Sequence, residues 1–289
     1  MNTRVLAEGL HFGEGPRWHH GRLWFSDFYD HAIKTVDLDG TVSTRLVIDD
    51  QPSGLGWLPD GTLLAVAMHA RTVLRFEGED LVVHADLGEV ATFHCNDMTV
   101  DALGRAYVGN FGFDLDAAIT GGQFAAALAA YEGAALAMID QHGRVHTVAT
   151  GLRFPNGMVI TPDGATLIVA ETLGRRLTAF DIGIDGTLTN QRVWAELPGT
   201  APDGICLDAD GAVWVADASS ARCIRVAEGG QVLAEAVTSQ PCYACMLGGP
   251  DGRTLFMLTA ESSLPAIASA RRTGRVEVFD APAARAGRP

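Results

Sequence analysis

The chain repeats one strand–turn–strand module six times, and that repetition restricts its possible folds more than any other feature. Aligned on their first positions, the modules read EGPRWHHGRLWFSD, SGLGWLPDGTLLAVA, NDMTVDALGRAYVGN, NGMVITPDGATLIVAE, DGICLDADGAVWVAD and YACMLGGPDGRTLFML. Their opening residues are Glu14, Ser53, Asn96, Asn156, Asp203 and Tyr243, spaced 39, 43, 60, 47 and 40 residues apart. Each module has a short alternating strand, a turn such as Pro-Asp-Gly at 59–61 and 162–164, and a β-rich apolar strand. A third strand follows in most modules, and often a fourth. Four antiparallel strands per period of this length make a propeller blade, since a lone module cannot bury its apolar face and stacked neighbours can. The expectation is an all-β chain: a single domain over 1–289, a six-bladed β-propeller of four-stranded antiparallel blades. The N-terminal strand RVLAEGL has no blade of its own, so it is expected to close the ring as the outer strand of the last blade.

Composition narrows the function. With 21 Lys and Arg against 35 Asp and Glu, the formal charge is −14, which argues against a grip on nucleic acid phosphates. No apolar run reaches membrane-spanning length and the first residues lack the apolar core of a signal peptide, so the expectation is a cytoplasmic protein with no membrane partner. Five cysteines at irregular spacing do not form a disulfide framework. Cys242 and Cys245 make a lone C-x-x-C, and without a second pair they read as ordinary buried thiols.

Strand direction locates the functional face. In an antiparallel blade the opening residue and the connection between the second and third strands lie at one end, and the Asp-Gly turn lies at the other. One mouth therefore collects residues 28–31, 69–71, 111–133, 171–175, 217–221 and 261–272. The Ala-rich excess of the third module, about 112–133, is expected to carry a short helix and to serve either as a lid or as rim packing.

If the ring closes, the six opening side chains meet on its axis. Four of them carry hard oxygen donors, and Glu14 with Asp203 would set two like charges near a low-dielectric channel unless a cation offsets them. Such a set suits Ca²⁺, Mg²⁺ or Mn²⁺ better than a closed zinc site. The alternative is a polar plug, with Asn96 and Asn156 serving as turn residues. Ser53 and Tyr243 are poor ligands and suit hydrogen bonding to substrate or water. His94 and His69 at the mouth suit substrate contact, proton transfer or plain packing. His19 and His20, at a turn on the far face, read as solvent-exposed.

At these residues the chain resembles the SMP-30/gluconolactonase (regucalcin-like, LRE-like) family. The resemblance rests on EGPRW at 14–18 followed by GRLWFSD, the Asn-Asp at 96–97 followed by VDALGRAYVGN, GLRFPNGMVITPDG at 151–164 and PDGICLDADGAVWVAD at 202–217. It implies a divalent cation held by Glu14, Asn156 and Asp203: Ca²⁺ first, with Mg²⁺, Mn²⁺, Zn²⁺ and Fe²⁺ as alternatives. It also implies a metal or substrate contact at Asn96 and a base or nucleophile at Asp203. The expected activity is metal-dependent hydrolysis of a small lactone, with the cation polarising the carbonyl and Asp203 taking a proton from water. Sugar lactonases of the family often carry Arg-x-Asn-Asp where this chain has His94-Cys95-Asn96-Asp97, which leaves open a sugar lactone or a less polar lactone or ester. Two other functions remain compatible with the sequence. One is a phosphotriesterase or phosphofluoridate hydrolase in which Asp203 attacks phosphorus, and the other is a non-catalytic metal-binding propeller.

Overall fold

The computed structural model describes residues 3–78 and 80–288. Its strands form six four-stranded antiparallel sheets. The innermost strands are Gly13–His19, Pro52–Trp57, Cys95–Val100, Pro155–Ile160, Pro202–Leu207 and Cys242–Gly248, one for each predicted module. Each touches the innermost strand of the next blade, and the first touches the last, so the sheets close into a six-bladed propeller. The closing strand is the expected one: Arg4–Leu10 pairs antiparallel with Gly274–Asp280 at the outer edge of the last blade.

Burial follows distance from the axis. Cys242–Gly248 is buried throughout, whereas the outer strand Val42–Val47 of the first blade is half-buried to exposed. Strands covered on both faces read as continuous apolar runs, which explains LLAVA and LFML in the second strands. Large side chains fill the wedges between blades: Trp214, Tyr107, Phe25 and Phe256 are fully buried, and Trp18 of the first blade stacks on Phe256 of the last with centroids 5.4 Å apart. The turns on the far face are fastened by their aspartates. Asp60 Oδ1 accepts from the Thr62 backbone N–H at 2.9 Å, and Asp163 does the same for Ala165 at 3.0 Å.

Glycines follow four of the opening residues; Gly15 adopts a left-handed φ of +53°, whereas others are required by close packing. Gly157 and Gly204 lie outside the left-handed region, but a Cβ on Gly157 would sit 2.5 Å from the Ile205 nitrogen and one on Gly204 2.6 Å from Ala244 Cα. The backbones of neighbouring innermost strands approach too closely for any side chain there.

The third-blade excess forms two helices, Leu115–Thr120 and Phe124–Ala130. Asp114 caps the first, accepting from Ala117 N–H at 2.8 Å. The returning chain is fastened by Tyr131, whose hydroxyl donates to Leu152 O at 3.2 Å and accepts from Phe154 N–H at 3.1 Å. The matching connection of the last blade adds a one-turn helix, Pro265–Ala268, that the sequence pattern did not indicate. Among the described residues, no helix is long and apolar enough to cross a membrane.

Candidate active site

Every innermost strand slips register against its neighbour at its opening residues. The irregularities fall between Glu14 and Arg17, Pro52 and Leu55, Cys95 and Met98, Pro155 and Met158, Pro202 and Ile205, and Cys242 and Ala244. A bulge at this point turns the opening side chain out of the pleat. Glu14, Asn96, Asn156, Asp203 and Tyr243 line a cavity of about 410 Å³ at the predicted mouth. Ser53 is 2% exposed and does not line it; its hydroxyl donates to Asn96 Oδ1 at 3.2 Å. His94 lines the wall, half-buried against His69 at 4.4 Å, and both burial and that neighbour hold its pKa below the usual value. His69 itself sits 3.0 Å from Asp50.

The floor is a directional chain of hydrogen bonds. Ser53 donates to Asn96, Asn96 Nδ2 to Asn156 Oδ1 at 2.9 Å, Asn156 Nδ2 to Thr172 Oγ1 at 3.2 Å, and Thr172 Oγ1 to Pro202 O at 2.8 Å. The chain runs from blade to blade and ends one residue before Asp203. It fixes which way each amide faces, since reversing one would set two donors or two acceptors together.

The carboxylates are less well served. Glu14 accepts only the N–H of its neighbour Gly15, at 3.1 Å, among the described residues, and Asp203 Oδ1 is buried without a partner among them. Burial, and then the charge of Asp97, push the Glu14 pKa up to about 8. Burial, with Glu14 and Asp97 adding to it, holds Asp203 well above the ordinary carboxylate range. Beneath them Arg17 meets Asp97 at 3.0 Å, donates through Nε to Leu55 O at 2.9 Å and is 5% exposed, so its charge is committed to the channel wall. Two buried carboxylates, one with an orphaned oxygen, beside two amide oxygens form a hard donor set that fits a divalent cation. Among the described residues no cluster of three or more His, Cys, Asp and Glu has metal-ligand spacing, so any such ion would depend on the amides.

Two further tiers complete the wall at fixed offsets just outside the aligned modules, and apart from His94 their residues were not singled out one by one from the sequence. Two positions ahead of the opening residues stand Phe12, Gln51, His94 and Phe154, which line the cavity because extended residues two apart share a face. Directly after the second strands stand Phe28, Met68, Phe111, Thr172 and Ala218, which line it too. All six predicted mouth segments contribute, the last through Ser263 and Pro265, and the insertion contributes Leu115 and Asp116.

Two other sequence readings resolve away from the mouth. All five cysteines are buried and unpaired in disulfides, with Cys206 and Cys245 sulfurs 3.8 Å apart. His19 is not a free surface histidine, because it stacks on Trp57 at 4.0 Å and burial, with His20, lowers its pKa to about 4.

Comparison with known proteins accords with this architecture. The pentonolactonase XacC of Haloferax volcanii is 26% identical, the match covering 89% of this chain and 84% of that one. The 6-deoxy-6-sulfogluconolactonase of Pseudomonas putida is 27% identical over 90% and 87%. The crystal structure of the calcium-binding protein regucalcin from Agrobacterium tumefaciens superposes with a TM-score of 0.79 at 20% identity, covering 99% of this chain and 95% of that one. The model of the SMP-30/Gluconolactonase/LRE-like region matches residues 12–261, and the chain belongs to that family.

Proposed function

We propose that the chain is a divalent-cation-dependent lactonase, a carboxylic ester hydrolase working at the mouth of the propeller. The observation that carries this reading is the orphaned, buried Oδ1 of Asp203 on the floor of a substrate-sized cavity, beside a second strained carboxylate, Glu14. The lactonase names of the Haloferax and Pseudomonas relatives support the reaction class, and the calcium-binding regucalcin supports the choice of cation.

Glu14, Asn156 and Asp203 would hold the ion, with Asn96 beside them. When bound, a hard cation supplies Lewis acidity toward the ester carbonyl and offsets the developing negative charge. Asp203 accepts a proton from the attacking water. Asn96, fixed by Ser53 on one side and Asn156 on the other, orients the lactone. Glu14 has no proton-transfer role and serves to hold charge. The wall above the floor excludes bulk water, and opening of the ring yields a hydroxy acid that leaves through the mouth.

A pH-indicator assay over a panel of lactones, with and without EDTA, tests this. Acid release that EDTA abolishes and calcium restores is the expected result; a panel inert under all metal conditions would remove the lactonase reading.

A further inference from the structure

The cavity is layered by polarity, and the layering selects a substrate. At its floor the opening residues are polar. Above them, the wall is built from Phe12, Phe28 and Tyr243 on one side and Phe111 and Phe154 on another. Phe12 meets Tyr243 edge-on at 4.7 Å and Phe28 at 5.3 Å, a cluster at the seam of the last and first blades. Phe111 and Phe154 stack at 4.6 Å with planes 22° apart, at the seam of the third and fourth blades. Those seams lie three blades apart in a ring of six, so the two clusters face each other across the channel. Met68 and Ala218 add apolar surface beside Gln51, His69 and Thr172, and Leu115 of the insertion reaches the same space.

Several polar atoms of this wall are engaged, while Gln51, His94 and Asp116 add polar groups at its margins. Tyr29 donates its hydroxyl to Ser263 O at 2.8 Å, His31 Nδ1 pairs with Asp50 O at 2.9 Å, and His69 pairs with Asp50. A polyhydroxylated ring seated between the clusters would lose water from its hydroxyls and gain few partners, which is unfavourable. A flat apolar ring would bury both faces against aromatic side chains.

We propose that the site takes lactones bearing an apolar ring or chain, with aryl-fused lactones foremost, the carbonyl reaching down to the polar floor and the apolar part held between the two aromatic clusters. This rests on the lactonase reading for turnover, while the recognition it describes stands on the wall alone. Specificity is set by Phe28, Phe111 and Leu115.

The test compares dihydrocoumarin, an aryl-fused lactone, with gluconolactone, together with calorimetric binding of their non-hydrolysable lactam counterparts, dihydrocarbostyril and gluconolactam. Expected is a kcat/KM at least ~100-fold higher for dihydrocoumarin, from the ~10–200-fold discrimination available per mismatched group in a built pocket, and tighter binding of dihydrocarbostyril. Phe111→Ser and, as a second variant on the insertion, Leu115→Asp should each narrow the aryl-to-sugar ratio about tenfold or more. Preference for the sugar compound, in turnover or in lactam binding, overturns the proposal, as does an unchanged ratio in both variants. Tight dihydrocarbostyril binding without hydrolysis of any lactone keeps the proposal and removes the hydrolytic reading; no selective binding with no hydrolysis removes both.

Discussion

Asn96 and Asn156, at the openings of successive blades, are joined side chain to side chain: Asn96 Nδ2 donates to Asn156 Oδ1 at 2.9 Å. Both are about 6% exposed, so neither can exchange this partner freely for bulk water. Orphaning a buried polar atom costs about 1–3 kcal/mol. Asn96→Ala leaves Asn156 Oδ1 and Ser53 Oγ without this partner and should lower kcat/KM by about 10-fold to 100-fold with the fold retained. Circular dichroism together with lactone kinetics checks both halves.

Asp203 and Glu14 should separate in their kinetic signatures. Asp203→Asn removes the proton acceptor and should cost about 10²–10⁴-fold in kcat, the usual range for a general base, with calcium still bound. Glu14→Gln should instead weaken calcium affinity with a smaller effect on kcat at saturating metal. Single-turnover hydrolysis in ¹⁸O-water checks the role of Asp203: label in the product on the first turnover supports water attack, and label appearing first in Asp203 would reassign it as nucleophile.

If Glu14, Asn156 and Asp203 hold a cation as proposed, its removal should destabilise the fold, because the unfolded chain has no comparable site. At about 100 times its Kd a ligand contributes about 2.7 kcal/mol. EDTA should lower Tm and calcium should restore it, whereas the calcium-induced shift should shrink in Glu14→Gln. Differential scanning calorimetry reads this without any assay of turnover.

On the far face, His19 should make the fold acid-sensitive. Its folded pKa of about 4 lies below the 6.5 of a free histidine, so the unfolded chain binds the proton more readily. The stability contributed by neutral His19 is therefore present above about pH 6.5 and is lost as pH falls toward 4. His19→Phe keeps a ring against Trp57 and removes the proton, so its Tm should fall less than that of the parent chain between pH 7 and pH 4.5. Equal falls would assign the acid sensitivity elsewhere.

Gly157→Ala tests the close approach at the axis. The added methyl meets backbone, which cannot rotate aside, and overpacking of this kind costs about 1–3 kcal/mol or more. Urea denaturation should show a lower midpoint with an unchanged slope.

The propeller and its mouth were legible because the module repeats: turn residues and apolar second strands mark each blade, and strand direction then assigns an end to every loop. The floor was legible for the same reason, with opening residues aligned by position. The aromatic wall was not read, because Phe12, Phe154, Phe28 and Phe111 look like ordinary core residues along the chain. Their shared offsets from the opening residue and from the second strand become meaningful only once the bulges turn those positions toward the axis. Ser53 illustrates the opposite error. Its position is on the axis, but its short side chain does not line the cavity and donates to Asn96 instead. Arg17, in the quoted EGPRW motif, was passed over because a sequence cannot show that a guanidinium crosses to Asp97.

The pairing of Arg4–Leu10 with Gly274–Asp280 has a consequence for how the molecule is made. The strand that precedes all six innermost strands belongs to the sheet that follows them, so its hydrogen-bonding edge stays without its native partner until Gly274–Asp280 has left the ribosome. An uncapped edge of that kind is a template for association between nascent chains, and it places the decisive closing event after the synthesis of all six blades.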